Sequence, residues 1–276
     1  MSGRWVRRAA ERTAEAAERG ERPGARLTAG PTGVEDPLQY AKPYTARELR
    51  RVYATLMEVH GEQQWWPTAA TEGPEQRLEI CLGAILTQNT AWRGAEAALA
   101  NLRAAGVMSC AAIVAMPEDV LADLVRPSGH YRVKARKLQS FCGVVMEEHG
   151  GDIDALLAGT HDAAGVAAVR ARLLHIWGIG PESADAITLY AARLPTFVVD
   201  AYAYRLFERL GRPPGPRRYD VYREYFMRLI GPDETALNEW HALIVRHGQR
   251  TCRKTQPLCG DCALLDRCAF GKAQVG

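Results

Sequence analysis

The stretch Leu173-Leu174-His175-Ile176-Trp177-Gly178-Ile179-Gly180-Pro181-Glu182-Ser183-Ala184-Asp185-Ala186 joins two helical segments through a Gly-x-Gly turn. Two glycines permit a tight reversal, and Pro181 suits the first turn of the following helix. The reversal brings backbone N–H groups to the surface at a helix N-terminus, where donors and dipole together suit a phosphate. Ordinary helical hairpins use glycine too, so the turn speaks for a local fold before it speaks for a function. Helical spacing continues outward on both sides. Leu49, Val52, Leu56 and Val59 recur at three- and four-residue steps, with Thr45 placed to cap. Leu78, Leu82 and Ile85, joined by Ile80 and Leu86, predict a more buried helix. Others are predicted over 94–105, 117–124, 132–148, 164–175, 182–193, 201–210, 217–230 and 233–246, with breaks at Gly106, Pro127 and Gly150–Gly151. Strand-like alternation is confined to Phe197–Val199, and no internal repeat is present. The predicted fold class is all-α.

A chain of 276 residues with 47% hydrophobic and 24% charged side chains can bury a sizeable core. No window holds 18 uninterrupted apolar residues, which excludes a transmembrane helix. The N-terminal MSGRWVRRAAERTAEAAERGERPG lacks the apolar stretch of a secretory signal. Residues 1–43 read as a flexible Arg- and Ala-rich tail, punctuated by Pro31, Pro37 and Pro43, with too few large apolar side chains to offset its ordering entropy. Thirty-five Lys and Arg against 32 Asp and Glu leave a net charge of +3, too mild to imply a nucleic-acid partner by itself.

Cysteine placement is more telling. Cys81, Cys110 and Cys142 stand apart, whereas Cys252, Cys259, Cys262 and Cys268 follow a C-x6-C-x2-C-x5-C spacing. Four thiolates in such a loop can surround one metal centre. Zinc ribbons use two well-separated C-x2-C knuckles, and this segment has one close pair; four-cysteine ligation also suits an iron–sulfur cluster. Unligated exposed thiols would be oxidation liabilities. The pattern predicts a cytoplasmic protein with one local metal site. Between the hairpin and the cysteines, Leu194-Pro195-Thr196-Phe197-Val198-Val199-Asp200-Ala201-Tyr202 places a lone carboxylate after an apolar stretch, at the start of a helix. The plain structural role for Asp200 is an N-cap; capping and catalysis are compatible.

Hairpin, apolar-Val-Val-Asp segment and terminal cysteines, in this order, resemble the helix-hairpin-helix DNA glycosylases of the endonuclease III type. The resemblance implies two helical subdomains with the active site in the cleft between them: a six-helix barrel-like domain over 78–195, and an iron–sulfur domain formed by 44–77 plus 196–276. It implies Asp200 as the catalytic residue, Gly178, Ile179 and Gly180 as a grip on the DNA backbone, and a [4Fe-4S] cluster on Cys252, Cys259, Cys262 and Cys268. A monovalent cation at the hairpin is implied too. Arg253 and Lys254, otherwise plain solvated charges, become phosphate contacts. Endonuclease III carries a lysine two residues after the second glycine, and its amine attacks the sugar. Glu182 stands there in this chain, and a carboxylate cannot form an imine. A monofunctional glycosylase is therefore expected.

Other segments resemble the bacterial 3-methyladenine glycosylase branch: Gln64-Trp65-Trp66-Pro67, Leu82 to Thr90, Val125 to Tyr131 with Lys134-Ala135, and Gly180 to Ala186. That branch has the same glutamate after its hairpin but lacks the iron–sulfur loop. Alkylated purines carry positive charge and leave readily, so an electron-rich aromatic pocket selects them by stacking and cation–π attraction. Trp65, Trp66 and Trp92 are the expected pocket, with Glu182 at its rim; each tryptophan alone could equally be core. Gln88 is expected to fill the gap left by a flipped nucleotide, or simply to cap a helix, and Lys134 to contact DNA. The expected enzyme is a monomeric, nucleoid-associated bacterial-type protein that acts on duplex DNA with a damaged base and not on membranes. The alternatives are a bifunctional glycosylase/lyase acting on oxidised pyrimidines, with Lys134, Lys137 or Lys254 as nucleophile, and a non-catalytic DNA-binding homologue.

Overall fold

Thr45 opens the first helix, α1 (Ala46–His60), through a reciprocal capping box: its main-chain N–H donates to Glu48 Oε2 at 2.9 Å, and its hydroxyl accepts from Glu48 N. The computed structural model describes residues 42–63 and 65–276. Residues 1–41, most of the expected tail, lie outside the described residues, as does Gln64. Twelve helices follow α1: α2 (Gly73–Leu86), α3 (Trp92–Ala104), α4 (Cys110–Ala115), α5 (Glu118–Leu124), α6 (Tyr131–Glu148), α7 (Ile153–Leu157), α8 (Ala163–His175), α9 (Pro181–Tyr190), α10 (Ala201–Arg209), α11 (Tyr219–Ile230), α12 (Glu234–Arg250) and α13 (Ala269–Val275). The described residues contain no strand, so the fold is all-α. None of these helices is long and apolar enough to cross a membrane.

Side-chain caps open seven of the thirteen described helices. Asp152, Asp162, Asp200 and Asp233 each accept a first-turn N–H, opening α7, α8, α10 and α12. Sequence spacing missed α4, α7 and α13, which are five to seven residues long, while α5, also of seven residues, was predicted over 117–124. Residues 197–199 form no strand: Phe197, Val198 and Val199 are buried in an extended connector without a ladder partner. Helix α9 stops at Tyr190, short of the expected 193, because Arg193 turns left-handed at φ +55° and Leu194 N–H caps back onto Thr188 O.

Packing falls into two groups. Helices α2 to α9 contact one another, with α6 against α4 and α5, and α2 against α3, α6, α7 and α9. Helices α10, α12 and α1 form a second group that also takes in α11 and α13, and α9 meets α12 between the groups. At the junction sits a fully buried carboxylate. Asp185 of α9 is 0% exposed and binds Arg170 Nε of α8 at 3.0 Å and Arg223 Nε of α11 at 3.1 Å. It also accepts the Thr196 hydroxyl at 2.7 Å, which ties the extended connector to α9. Phe197 then stacks on Phe226 at 4.4 Å, with Phe207 against the same ring.

Lys134 corrects an expectation. It is 2% exposed, and its ammonium donates to Leu86 O at 2.7 Å and Ser128 O at 2.6 Å. Those carbonyls end α2 and the turn before α6, so the charge is consumed inside the protein and no phosphate reaches it. Burial, with Lys137 nearby, pulls its pKa down to about 8.

Asp185→Ala should cost on the order of 3–5 kcal/mol in urea unfolding, because Arg170 and Arg223 lose their shared counter-charge. Lys134→Met should cost about 1–3 kcal/mol by leaving two buried carbonyls unpaired. The lysine sheds its proton near pH 8 when folded but near 10.5 when unfolded. The stability advantage of wild type over Lys134→Met should therefore grow as pH rises from 8 toward 10.5. A constant difference across that window would contradict this placement.

Candidate active site

The hairpin between α8 and α9 depends on one glycine more than on two. Gly178 adopts φ +93°, and a Cβ there would meet Lys137 Cγ at 2.5 Å, so neither backbone nor space admits a side chain. Gly180 is extended, caps α9, and would meet nothing. Ile179 buries its side chain, so this expected DNA contact can act through its main chain alone. Trp177, which the sequence reading passed over, stands 56% exposed beside the turn. Gln88 Nε2 donates to Gly178 O at 3.0 Å and Ser183 Oγ at 2.8 Å, and Lys137 Nζ donates to its Oε1. The residue expected to enter DNA thus fastens the hairpin to the end of α2, while its exposed neighbour Asn89 takes a left-handed φ of +53°.

Asp200 is delivered by the connector that Asp185 and Thr196 anchor. Its Oδ1 accepts Ala203 N–H at 2.8 Å, so the residue does cap α10, and its side chain is 13% exposed. The other oxygen, Oδ2, lies 3.6 Å from His241 Nε2 of α12. His241 Nδ1 in turn sits 2.6 Å from the hydroxyl of Tyr190, the last residue of α9. Glu182 is exposed in the first turn of α9. Loss of hydration and the neighbouring Asp200 push its carboxyl up to about 7, with His241 pulling the other way.

The three tryptophans converge. Trp65 and Trp66 pack on each other at 5.7 Å and on Trp92 at 5.9 and 5.3 Å, and Trp66 continues onto Tyr190 at 5.3 Å. All three indoles are half-buried. The loop that carries the pair is held by buried Glu79, which accepts Ala69 N and Ala70 N and pairs with Arg103 at 2.7 Å. On α2, Gly83 admits Trp66: a Cβ there would stand 3.3 Å from the indole nitrogen. The result is an aromatic wall that ends, through Tyr190 and His241, at the Asp200 carboxylate. Neither Tyr190 nor His241 carries a motif signal; they are 51 positions apart in the chain.

Cys252, Cys259, Cys262 and Cys268 line one cavity under α10 and the end of α12. Donors surround the sulfurs. Gly271 N–H points at Cys268 Sγ at 3.2 Å, Arg209 Nη1 lies 3.4 Å from Cys252 Sγ, and His247 Nε2 lies 3.7 Å from Cys262 Sγ. Arg253 and Lys254 are exposed, their carbonyls held by the Arg209 guanidinium at 2.7 and 3.1 Å. Cys81, Cys110 and Cys142 are buried elsewhere in the core.

Residues 82–232 match the family model described as HhH-GPD superfamily base excision DNA repair protein. A Methanocaldococcus jannaschii protein named "Putative DNA repair glycosylase" is 38% identical over 220 residues, covering 80% of this chain and 95% of its own. Endonuclease III of Thermotoga maritima is 28% identical over 58% of this chain and 70% of its own. Among solved structures, a non-covalent endonuclease III–DNA complex superposes with a TM-score of 0.69 at 20% identity, over 84% of this chain and 98% of that one. H. pylori 3-methyladenine DNA glycosylase bound to 1,N6-ethenoadenine superposes with a TM-score of 0.63 at 26% identity, over 75% and 98%. The chain belongs to the HhH-GPD superfamily of base excision DNA repair proteins.

Proposed function

We propose that this protein is a monofunctional DNA glycosylase that flips a damaged base from duplex DNA and hydrolyses its glycosidic bond, with alkylated purines as the substrate class. The observation that carries this reading is the placement of Asp200 at the end of an aromatic wall, with a carboxylate and not an amine at position 182. Breaking the bond develops positive charge on the sugar, and a carboxylate held in a mostly buried site stabilises it. The same group orients and deprotonates the attacking water. Trp65, Trp66 and Trp92 offer π faces to a cationic base, and Glu182, increasingly anionic above pH 7, favours that cation further. The likeness to a 3-methyladenine glycosylase supports the substrate class.

A lyase reading finds little support in the lysines. Lys134 is committed to two carbonyls and Lys137 to Gln88, Lys254 is exposed on the cysteine loop, and none of them stands at the hairpin position that Glu182 occupies. Duplex DNA is the proposed partner, gripped by the main chain of the hairpin at the α9 N-terminus and by Arg253 and Lys254. The Gln88–Asn89 turn is assigned to the gap left by the flipped nucleotide, which requires Gln88 to release its bonds to the hairpin. The proposed division into domains over 78–195 and over 44–77 plus 196–276 is supported by the two packing groups except at its first boundary, since α2 begins at Gly73. A monovalent cation at the hairpin is part of the proposal, with Gly178 O and Ile176 O as its candidate ligands.

The cysteine loop is proposed to hold a [4Fe-4S] cluster. Its four cysteines face one cavity with N–H donors beside the sulfurs, the ligand set that a polynuclear centre needs. When bound, the cluster supplies local folding energy to a segment with few apolar residues to bury.

Asp200→Asn should abolish single-turnover base release from methylated duplex DNA, while binding to an abasic analogue survives or tightens as a negative charge leaves the phosphate surroundings. Near wild-type rates in a folded Asp200→Asn protein would place the chemistry elsewhere. Borohydride with abasic DNA should trap no covalent adduct, and a trapped adduct would restore the lyase reading. Purified protein should be yellow-brown and contain iron and acid-labile sulfide; colourless protein with one tightly bound zinc would overturn the cluster assignment.

A further inference from the structure

We infer that His241, anchored by Tyr190, is a positioning residue that holds the Asp200 carboxylate in its working orientation and links it mechanically to the base pocket. This rests on the glycosylase reading and extends it to two residues outside every motif in the sequence.

The Tyr190 hydroxyl is buried, and His241 Nδ1 at 2.6 Å is its hydrogen-bond partner among the described residues. Burial and the nearby Asp200 push the phenol well above its ordinary pKa, so it keeps its proton. With that proton donated to Nδ1, the imidazole carries its own on Nε2. Nε2 is buried and has no hydrogen-bond partner among the described residues, and Asp200 Oδ2 stands before it at 3.6 Å. A core histidine with a purely structural role would satisfy both nitrogens. This one satisfies the nitrogen that faces the pocket wall and aims the other at the carboxylate.

The carboxylate is thereby confined from two sides. Oδ1 is held by Ala203 N–H at the start of α10, and Oδ2 faces the imidazole from α12. The 3.6 Å gap is longer than a hydrogen bond, as free enzymes often show before substrate tightens the site. What tightens it is built into the contacts. Trp66 rests on the Tyr190 ring at 5.3 Å, and that ring lies against the His241 ring at 5.8 Å. A base stacked on the tryptophans loads Trp66, and the displacement passes through Tyr190 and His241 to Oδ2. Base recognition and orientation of the carboxylate share one chain of contacts.

The test measures single-turnover base release from methylated duplex DNA, binding to an abasic-analogue duplex, and thermal unfolding. It covers wild type, His241→Phe, His241→Gln, Tyr190→Phe and the His241→Phe/Tyr190→Phe double variant. His241→Phe keeps a ring but no donor, and should slow release by on the order of 10²-fold with analogue binding unchanged. His241→Gln restores an N–H near Nε2 and should recover most of that loss. Tyr190→Phe is close to isosteric and should slow release about tenfold; the double variant should be no slower than His241→Phe, since both act through one chain. If His241→Phe does not fold, Tyr190→Phe decides alone. Release within twofold of wild type in a folded His241→Phe or Tyr190→Phe protein overturns the inference, as does parallel loss of binding and rate. Wild type that releases no base from methylated DNA would instead sink the glycosylase reading itself.

Discussion

Asp185 is the constraint on which the site depends. A fully buried carboxylate is expensive to dehydrate and persists where several donors converge on it. Here the donors come from three directions: Arg170 on α8, Arg223 on α11, and Thr196 on the connector. The consequence is positional. The connector must lie against α9 at Thr196, and four residues later it yields Asp200. Helix α9 is thereby fixed between the two packing groups while it presents the hairpin and Glu182 at one end and Tyr190 at the other. The thirteen residues from Gly178 to Tyr190 thus carry the proposed phosphate grip, the proposed pocket carboxylate, the structural anchor and the first link to the imidazole.

The electrostatic layout divides labour between carboxylates of one kind. Asp185 is neutralised by arginines and serves the fold. Glu79, equally buried, accepts backbone N–H groups and holds the tryptophan loop. Glu182 sits against Asp200 with partial hydration, which raises its pKa and makes its charge sensitive to neutral pH. Asp200 alone combines partial exposure with a cap and an imidazole neighbour. What separates these groups is the set of donors each one meets.

Helical periodicity was legible wherever a helix was long enough to show it. Leu49, Val52 and Leu56 point into the core as their spacing requires, though Val59, read on the same stripe, is 55% exposed. The apolar Phe197–Val199 run read as a strand because burial on all sides and strand pairing leave the same composition behind. Asp200 was legible because a lone carboxylate after an apolar run stands out locally. Tyr190 and His241 were not, since their meeting depends on how α9 crosses α12, which no local pattern encodes. Lys134 misled for a related reason: its residue type advertises solvent, whereas two carbonyls left over at helix and turn ends drew it inward. The tryptophans were ambiguous one by one, and their mutual contacts resolve them into a wall.

Gly83 shapes that wall from behind. Its missing side chain lets the Trp66 indole lie against α2, where a methyl group would stand 3.3 Å from the ring nitrogen and force the ring outward by a few tenths of an ångström. The position of the Trp66 ring is therefore set by an absent atom, and the outline of the aromatic wall is adjustable by one codon at a position behind the rings.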